Sequence, residues 1–230
     1  MARNNFKQHL LSFLKTEGVT AFNNKFSAAT LASKNFDVQT IVDVGVFQGT
    51  PQIYAAFPDS EIILIDPMPG AAKRVGESLL PRTVHVYECG VGNRPEIAQF
   101  DIHAAGGKSS LLKRSERFPS TIKETVEVEV RTLDDILRNH TNQSPFGIKI
   151  DVEGYELSCL QGARQSISCS SFALIETSIK QRFTDGYRFS DIVRIMSDYE
   201  FELLDVLNAT GAEPTFFDCL FVPKDSPRLI

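Results

Sequence analysis

Ile41-Val-Asp-Val-Gly-Val-Phe-Gln-Gly49 is a short apolar run that halts at one glycine and reaches a second just before Thr50 to Ala56, a helical stretch. A strand that ends in glycine and opens a helix leaves backbone that a ligand can approach where a side chain would block it. The pattern repeats downstream. Glu61-Ile-Ile-Leu-Ile-Asp66 reads as a second strand, Pro69 to Leu80 as a helix, and Thr83-Val-His-Val-Tyr87 as a third strand. Continuous apolar strands alternating with helices imply a parallel sheet covered on both faces.

Working outward, the rhythm breaks after residue 90. Ala98 to His103 and Thr125 to Arg131 alternate in period two around a polar, glycine-rich connection. They predict an antiparallel hairpin, inserted over 98–131, with a mobile loop. Thr132-Leu-Asp-Asp135 reads as a capped helix start, with acids in the first turn. The rhythm resumes at Gly147-Ile-Lys-Ile-Asp151, with a helix from Tyr155 to Ser166, a strand at Phe172 to Glu176 and a helix at Phe189 to Tyr199. Phe201 to Val206 and Phe216 to Val222 are joined by a loop through Gly211 and Pro214, without a helix, so they should pair antiparallel. Ahead of the sheet, Phe6, Leu10, Phe13 and Leu14 predict an amphipathic helix, and Asn23 to Lys34 a second, looser one, together a cap over 1–38. No repeat or linker divides the chain. The expectation is one α/β domain: a Rossmann-like, doubly wound, mostly parallel sheet with an antiparallel last strand, an inserted hairpin and N-terminal helices.

Composition bounds the function. The chain has 230 residues, 42% hydrophobic and 23% charged, with 24 Lys and Arg against 29 Asp and Glu, a net charge of −5. Those values suit a globular protein with a substantial core. Without a basic block they argue against a nucleic-acid partner. Cys89, Cys159, Cys169 and Cys219 are far apart and form no CxxC, which fits buried thiols in a reducing compartment. No leader and no apolar run of membrane-spanning length is expected, which points to the cytoplasm. A homo-oligomer is compatible with the sequence.

Asp66, at the tip of the second strand, stands where a carboxylate can accept from ribose hydroxyls in such a sheet, so Gly45, Gly49 and Asp66 together indicate a nucleoside-containing cofactor. The plainer alternative is a tight turn with Asp66 capping a helix. A dinucleotide fingerprint needs G-x-G-x-x-G, whose middle glycine admits a pyrophosphate. Phe47 occupies that place. The bulk disfavours an NAD-linked oxidoreductase and suits a single nucleoside without phosphate, such as S-adenosylmethionine. A non-catalytic nucleoside-binding module of the same fold is the remaining alternative.

From about Thr40 to Lys224 the sequence resembles the FkbM-type S-adenosylmethionine-dependent methyltransferases, of the class I fold. The resemblance rests on Val42 to Gly49, Ile65-Asp-Pro67, Ser109-Ser-Leu111, Val130 to Ile136, Ile148-Lys-Ile-Asp-Val-Glu-Gly-Tyr-Glu156, Leu160-Gln-Gly-Ala163 and Leu174-Ile-Glu176. Lys149-Ile-Asp-Val-Glu-Gly154 is the most specific. The resemblance implies methylation of hydroxyls on sugars, polyketides and related natural products. It implies that Asp43, Gly45, Val46, Phe47 and Gly49 hold the methionine part, that Asp66 and Pro67 meet the ribose, and that Cys89, Gly90 and Val91 lie along the adenine. Phe47 stands where the family usually has Asn, and Asp66 where it often has Glu. Cys89 itself reads more simply as a small buried hydrophobe.

An alcohol is a weak nucleophile, so a base or a metal should assist it. Asp151 and Glu153 follow the fourth parallel strand, and Glu176 ends the fifth, at the carboxyl edge where ligands bind in open sheets. Asp151 is expected nearest the reacting groups. Glu153 either orients the acceptor or caps the next helix. His103 is a second candidate base, against the plainer reading of a solvated or hydrogen-bonded ring. Three carboxylates could hold a divalent cation, but no histidine adjoins them and the resemblance implies no obligatory metal, so none is expected. Ser110, with Ser109, could reach cofactor or acceptor if their loop closes as a lid. Phe216-Phe217 read as core, and Lys108, Lys113, Arg114 and Arg117 as a solvated face. The expected partner is a small hydroxylated acceptor, a sugar or glycoside, with no nucleic acid and no membrane.

Overall fold

The computed structural model describes residues 2–18, 26–76, 83–208 and 213–230. The chain runs α1 (Ala2–Thr16), α2 (Ala28–Ala32), β1 (Thr40–Val44), α3 (Pro51–Ala56), β2 (Glu61–Ile65), α4 (Ala71–Val75) and β3 (Val84–Tyr87). It continues through β4 (Gly90–Val91), β5 (Glu96–His103), β6 (Ile122–Arg131), α5 (Leu133–Leu137), β7 (Phe146–Ile150), α6 (Glu156–Gln161) and α7 (Arg164–Ser168). It closes with β8 (Ser170–Ser178), α8 (Phe189–Asp198), β9 (Phe201–Val206) and β10 (Phe216–Pro223).

Seven strands form the main sheet in the order β3-β2-β1-β7-β8-β10-β9. β1, β2, β3, β7 and β8 pair parallel, and β10 runs antiparallel to both β8 and β9. The strand order reverses between β1 and β7, the place where an open α/β sheet parts its loops and forms a ligand crevice. Period-two alternation divides the core between the faces. Val42, Val44, Ile63 and Ile65 pack with α5–α8, whereas Ile41, Ile62 and Leu64 pack with α2, α3 and α4.

The inserted hairpin is β5 with β6, and its sheet carries a strand that alternation did not reveal: Gly90–Val91 pairs parallel with Val130–Arg131. Two residues are too few to show a period.

Three expectations change. The single helix over 155–166 is two, α6 and α7. Gly162 ends α6 with its Cα pressed on Gly92, where an added Cβ would stand 2.1 Å from the carbonyl oxygen. Asp134 then receives the Gln165 and Ser166 N–H groups and starts α7 afresh. The N-terminal helix forms, but Leu10, Leu11 and Phe13 are 45%, 42% and 60% exposed, so the expected burial fails at Leu10 and Phe13. The second N-terminal helix shortens to α2, capped by Ser27, with 19–25 outside the described residues. The expected helix over 69–80 is described as α4, with 77–82 outside the described residues, as are 209–212 of the last loop. Among the described residues no helix is long and apolar enough to cross a membrane.

Candidate active site

The carboxyl ends of β1 and β7 touch. Gly45 has φ +81°, and a Cβ there would lie 1.8 Å from the Asp151 carbonyl oxygen, so no other residue fits this crossing. Gly49, at φ +84°, faces Val75 and Tyr54 at 2.9 and 3.1 Å in the same sense. Between them Phe47 also takes a positive φ, +46°. For a bulky residue that backbone costs about 1–2 kcal/mol. Two hydrogen bonds hold it: the Phe47 N–H donates to Asp66 Oδ2 at 2.8 Å, and Arg74 Nε donates to the Phe47 carbonyl at 2.8 Å.

Asp66 is thus more than a free acceptor. Its Oδ1 takes the Met68 N–H at 2.8 Å and lies 3.2 Å from Arg74. Burial pushes its carboxyl up from the usual range, and the two N–H groups and Arg74 pull it back. Each oxygen keeps lone-pair capacity for a hydroxyl donor.

A cavity of about 350 Å³ opens over this turn. That is the size class of drug-sized ligands. One wall is apolar, from Cys89, Gly90, Val91, Phe100 and Leu111. Burial pushes the Cys89 thiol up to about 11, so it behaves as the small hydrophobe expected. The polar part of the lining carries Asp151, Glu153, Glu176 and Asp218 together with Lys149, and Phe216 lines the cavity too.

Two ion networks organise that end. Asp43 and Lys149 are register partners on one face of the sheet. Lys149 Nζ lies 3.2 Å from Asp43 Oδ1 and 3.3 Å from Asp151 Oδ2, and Tyr54 donates its hydroxyl to Asp43. Those carboxylates outweigh the desolvation of Lys149 and hold its pKa above the usual lysine range. In the second network Arg114 meets Glu153 Oε2 at 2.6 Å, while Arg182 meets Glu176 Oε2 at 2.6 Å and Glu153 Oε2 at 3.5 Å. Burial first, then the neighbouring Asp151 charge, raises the Glu176 carboxyl well above its ordinary range. Glu153, also raised by burial, sits at φ +53°.

The structure gathers most of the residues picked from sequence around one cavity: Gly45, Val46, Phe47, Gly49, Asp66, Pro67, Cys89, Gly90, Val91, Asp151, Glu153 and Glu176. Three stand apart from its lining. Asp43 is fully buried under the β1 turn, in the Tyr54–Lys149 network. Ser110 is buried, donating to the Glu153 carbonyl at 2.7 Å and accepting from Leu112 N–H; its neighbour Ser109 lines the cavity. His103 is 3% exposed, so its ring is not freely solvated. Desolvation, reinforced by Arg114, lowers its pKa and keeps it neutral.

Other assignments shift as well. Glu153 does not cap the helix after it, which has no side-chain cap; Glu156, at its first residue, reaches back to take the Val152 and Gly154 N–H groups of the preceding turn. Arg114 is no solvated cation but a buried partner of Glu153, stacked on Phe183. Phe216 faces the cavity rather than the core. Lys149 is the functional residue that sequence reasoning passed over. Its signal was present, since a lone cation inside an apolar parallel strand must find a carboxylate.

A family model described as the methyltransferase FkbM domain matches residues 43–203, from the first carboxylate of β1 to the middle of β9. The chain belongs to the FkbM methyltransferase family. Among curated proteins none matches. Solved structures that resemble it include magnesium protoporphyrin IX methyltransferase from Synechocystis PCC 6803 with bound SAM, at 13% identity, TM-score 0.48, covering 85% of this chain and 76% of that one. A TehB-like SAM-dependent methyltransferase from Corynebacterium glutamicum follows, at 13% identity and TM-score 0.43, over 96% and 97% of the two chains. A third is the 1,6-didemethyltoxoflavin-N1-methyltransferase of Burkholderia thailandensis, at 10% identity and TM-score 0.43, over 85% and 75%.

This FkbM-family chain is therefore a methyltransferase, and its cofactor is S-adenosylmethionine. The cavity fits that group: a glycine turn where backbone is closely approached, a carboxylate at the second strand tip, and apolar lining from Cys89, Val91, Phe100 and Leu111.

Proposed function

We propose that the chain transfers the methyl group to a hydroxyl of a small molecule, a sugar or a glycosylated natural product. One observation carries this reading. Asp151, its side chain 32% exposed, faces the cavity and is backed by the buried ammonium of Lys149. A carboxylate set at the carboxyl edge of the sheet, solvent-reachable yet pinned, can accept the proton of an alcohol as it attacks.

S-Adenosylmethionine supplies, when bound, a methyl group on a positively charged sulfur. The chain's own part is to align and to remove a proton. Gly45, Val46, Phe47 and Gly49 would cradle the methionine part, Asp66 would accept from the ribose, and Cys89 to Val91 would flank the adenine. Asp43 acts from below, by holding Lys149. Asp151 orients the acceptor hydroxyl and takes its proton, and Glu176, held by Arg182, can accept from a second acceptor hydroxyl. Positioning of this kind supplies a large share of a barrier reduction.

Lining acids support a polyhydroxylated rather than anionic acceptor. Asp66, Asp151, Glu153, Glu176 and Asp218 line the cavity, against Lys149 as the only Lys or Arg among its described lining residues. A phosphate or carboxylate there would meet like charge. We read the whole chain as one methyltransferase domain, and its four free thiols fit the cytoplasm.

The test is labelled methyl transfer to a panel of neutral sugars and glycosides, run beside amine acceptors. Methyl transfer to hydroxyls that disappears in Asp151→Asn bears the proposal out. Transfer confined to nitrogen, or full turnover in Asp151→Asn, ends it.

A further inference from the structure

The inserted hairpin meets the β1–α3 turn at the side chain of Phe47. The tip of the insertion is a compact turn tied to itself. Gly106 N–H donates to the His103 carbonyl at 2.8 Å, Ser109 Oγ donates to the Gly106 carbonyl at 2.6 Å, and His103 N–H donates to Ser109 Oγ at 3.1 Å. Against it lies the Phe47 ring. A Cβ on Gly106 would stand 2.5 Å from Cε2, and one on Gly107 3.1 Å from both Cδ1 and Cε1. Those atoms belong to opposite edges of the ring, so the ring covers the backbone of both glycines. A side chain at Gly106 would force the ring or the turn to shift, and one at Gly107 would need them to give by a few tenths of an ångström. Phe47, Gly106 and Gly107 all line the cavity.

The ring is aimed from the other end as well. Phe47 holds a left-handed backbone that aromatic residues disfavour, fixed by Asp66 and Arg74. A strained residue clamped on both sides of its Cα, and in contact with a loop from elsewhere in the chain, does something that an unstrained side chain would not.

We propose that Phe47 is a positioning residue, the latch that fastens the Gly106–Gly107 turn across the cavity and sets how fast cofactor and demethylated product leave. This rests on the reading of the cavity as the cofactor site. The ring excludes water from one side of the cavity, and Asp66 ties its placement to the carboxylate that faces the ribose position.

Phe47→Asn separates latch from scaffold. Asparagine tolerates the left-handed region, so it keeps the backbone clamps and eases the strain while deleting the ring. The experiment measures hydrogen–deuterium exchange over 104–109 without ligand, and the dissociation rate of S-adenosylhomocysteine by surface plasmon resonance. In Phe47→Asn we expect faster exchange of that turn and dissociation quickened about tenfold, the scale of one lost aromatic contact. Phe47→Tyr, which restores the ring, is expected to return both to wild-type values. Unchanged exchange together with unchanged dissociation in Phe47→Asn overturns the latch, whatever happens to melting temperature. A wild-type chain that does not bind S-adenosylhomocysteine overturns the cofactor-site reading instead, and the ligand-free exchange still decides whether the contact holds the turn.

Discussion

Lys149 and Asp151 form an ion pair of 3.3 Å two residues apart, the lysine inside β7 and the acid just past its end. Alternation should put both side chains on one face of the sheet, and it does, with Asp43 beside them on β1. Lys149 thus joins the floor of the β1–α3 turn to a carboxylate that faces the cavity.

Replacing Lys149 by Met leaves Asp43 buried without its ammonium and Asp151 free to turn. Breaking one side of a buried pair costs about 3–5 kcal/mol. We expect Lys149→Met to lower the urea midpoint by a corresponding amount and to depress methyl transfer beyond what the loss of folded protein explains. Lys149→Arg keeps the charge but brings a planar fork into a space shaped for an ammonium, so partial rescue is expected. A Lys149→Met protein as stable as wild type would show that the pair does not hold the two strand ends.

Gly45→Ala tests the crossing of β1 and β7. The methyl group would stand 1.8 Å from the Asp151 carbonyl, backbone against backbone, with no flexible end to move aside. The φ of +81° adds strain for any L residue. We expect loss of at least about 3 kcal/mol and little folded protein in circular dichroism. Gly18→Ala, where a Cβ meets nothing within 4 Å, is the control, with a much smaller effect.

The parallel sheet was legible in the sequence because the burial of β1, β2 and β7 on both faces demands unbroken apolar runs, and Gly45 and Asp66 mark where those runs end. The antiparallel β10 followed from a connection without a helix. Less could be read where local sequence is neutral. Two-residue β4 exists because β6 offers it an edge, and the break at Gly162 exists because Gly92 crosses there; both are tertiary facts. In the site, the carboxylates at strand tips were readable, but their counter-ions were not. Arg114 and Arg182 reach Glu153 and Glu176 from loops, and nothing in the spacing of 114, 153, 176 and 182 announces a meeting. Phe47 was read as bulk against a pyrophosphate, whereas its contact with Gly106 and Gly107 needed the folded insertion.

Asp151, Glu153 and Glu176 bring carboxylate oxygens within 4.8 Å of one another, close enough for a divalent cation. All three already have cation partners, Lys149 on Asp151, Arg114 on Glu153 and Arg182 on both Glu153 and Glu176. A metal ion there would have to displace guanidinium groups that are themselves buried, and leave them unpaired. We expect methyl transfer to be unchanged by EDTA, and magnesium to shift the melting temperature no more than an equal ionic strength of sodium chloride does. A magnesium-specific rise in melting temperature that Glu176→Gln removes would count against this.

Stability should fall as pH rises from about 5 to about 7, and Glu156 is the clearest source. Its side chain is fully buried, and desolvation lifts its pKa from 4.5 to about 7, against the pull of its own N–H, Arg182 and the Gly154 N–H. Between those values the folded chain holds a proton that the unfolded chain has released. The stabilisation is therefore complete below about 4.5 and is lost as pH rises through about 7; the upper bound is about 3 kcal/mol. Asp66, Glu153 and Glu176 are raised in the same direction and add to the slope. His103 opposes it, since its lowered pKa means that acid below about 6.5 must charge a buried ring. Glu156→Gln separates the contributions. Its amide oxygen can still accept from Val152 and Gly154, but it binds no proton. Urea midpoints measured from pH 5 to pH 8 should therefore decline less steeply for Glu156→Gln than for wild type, with the two profiles converging at the acid end. Parallel profiles would mean that Glu156 is ionised throughout, and that the proton held near neutral pH lies elsewhere in the carboxylate cluster.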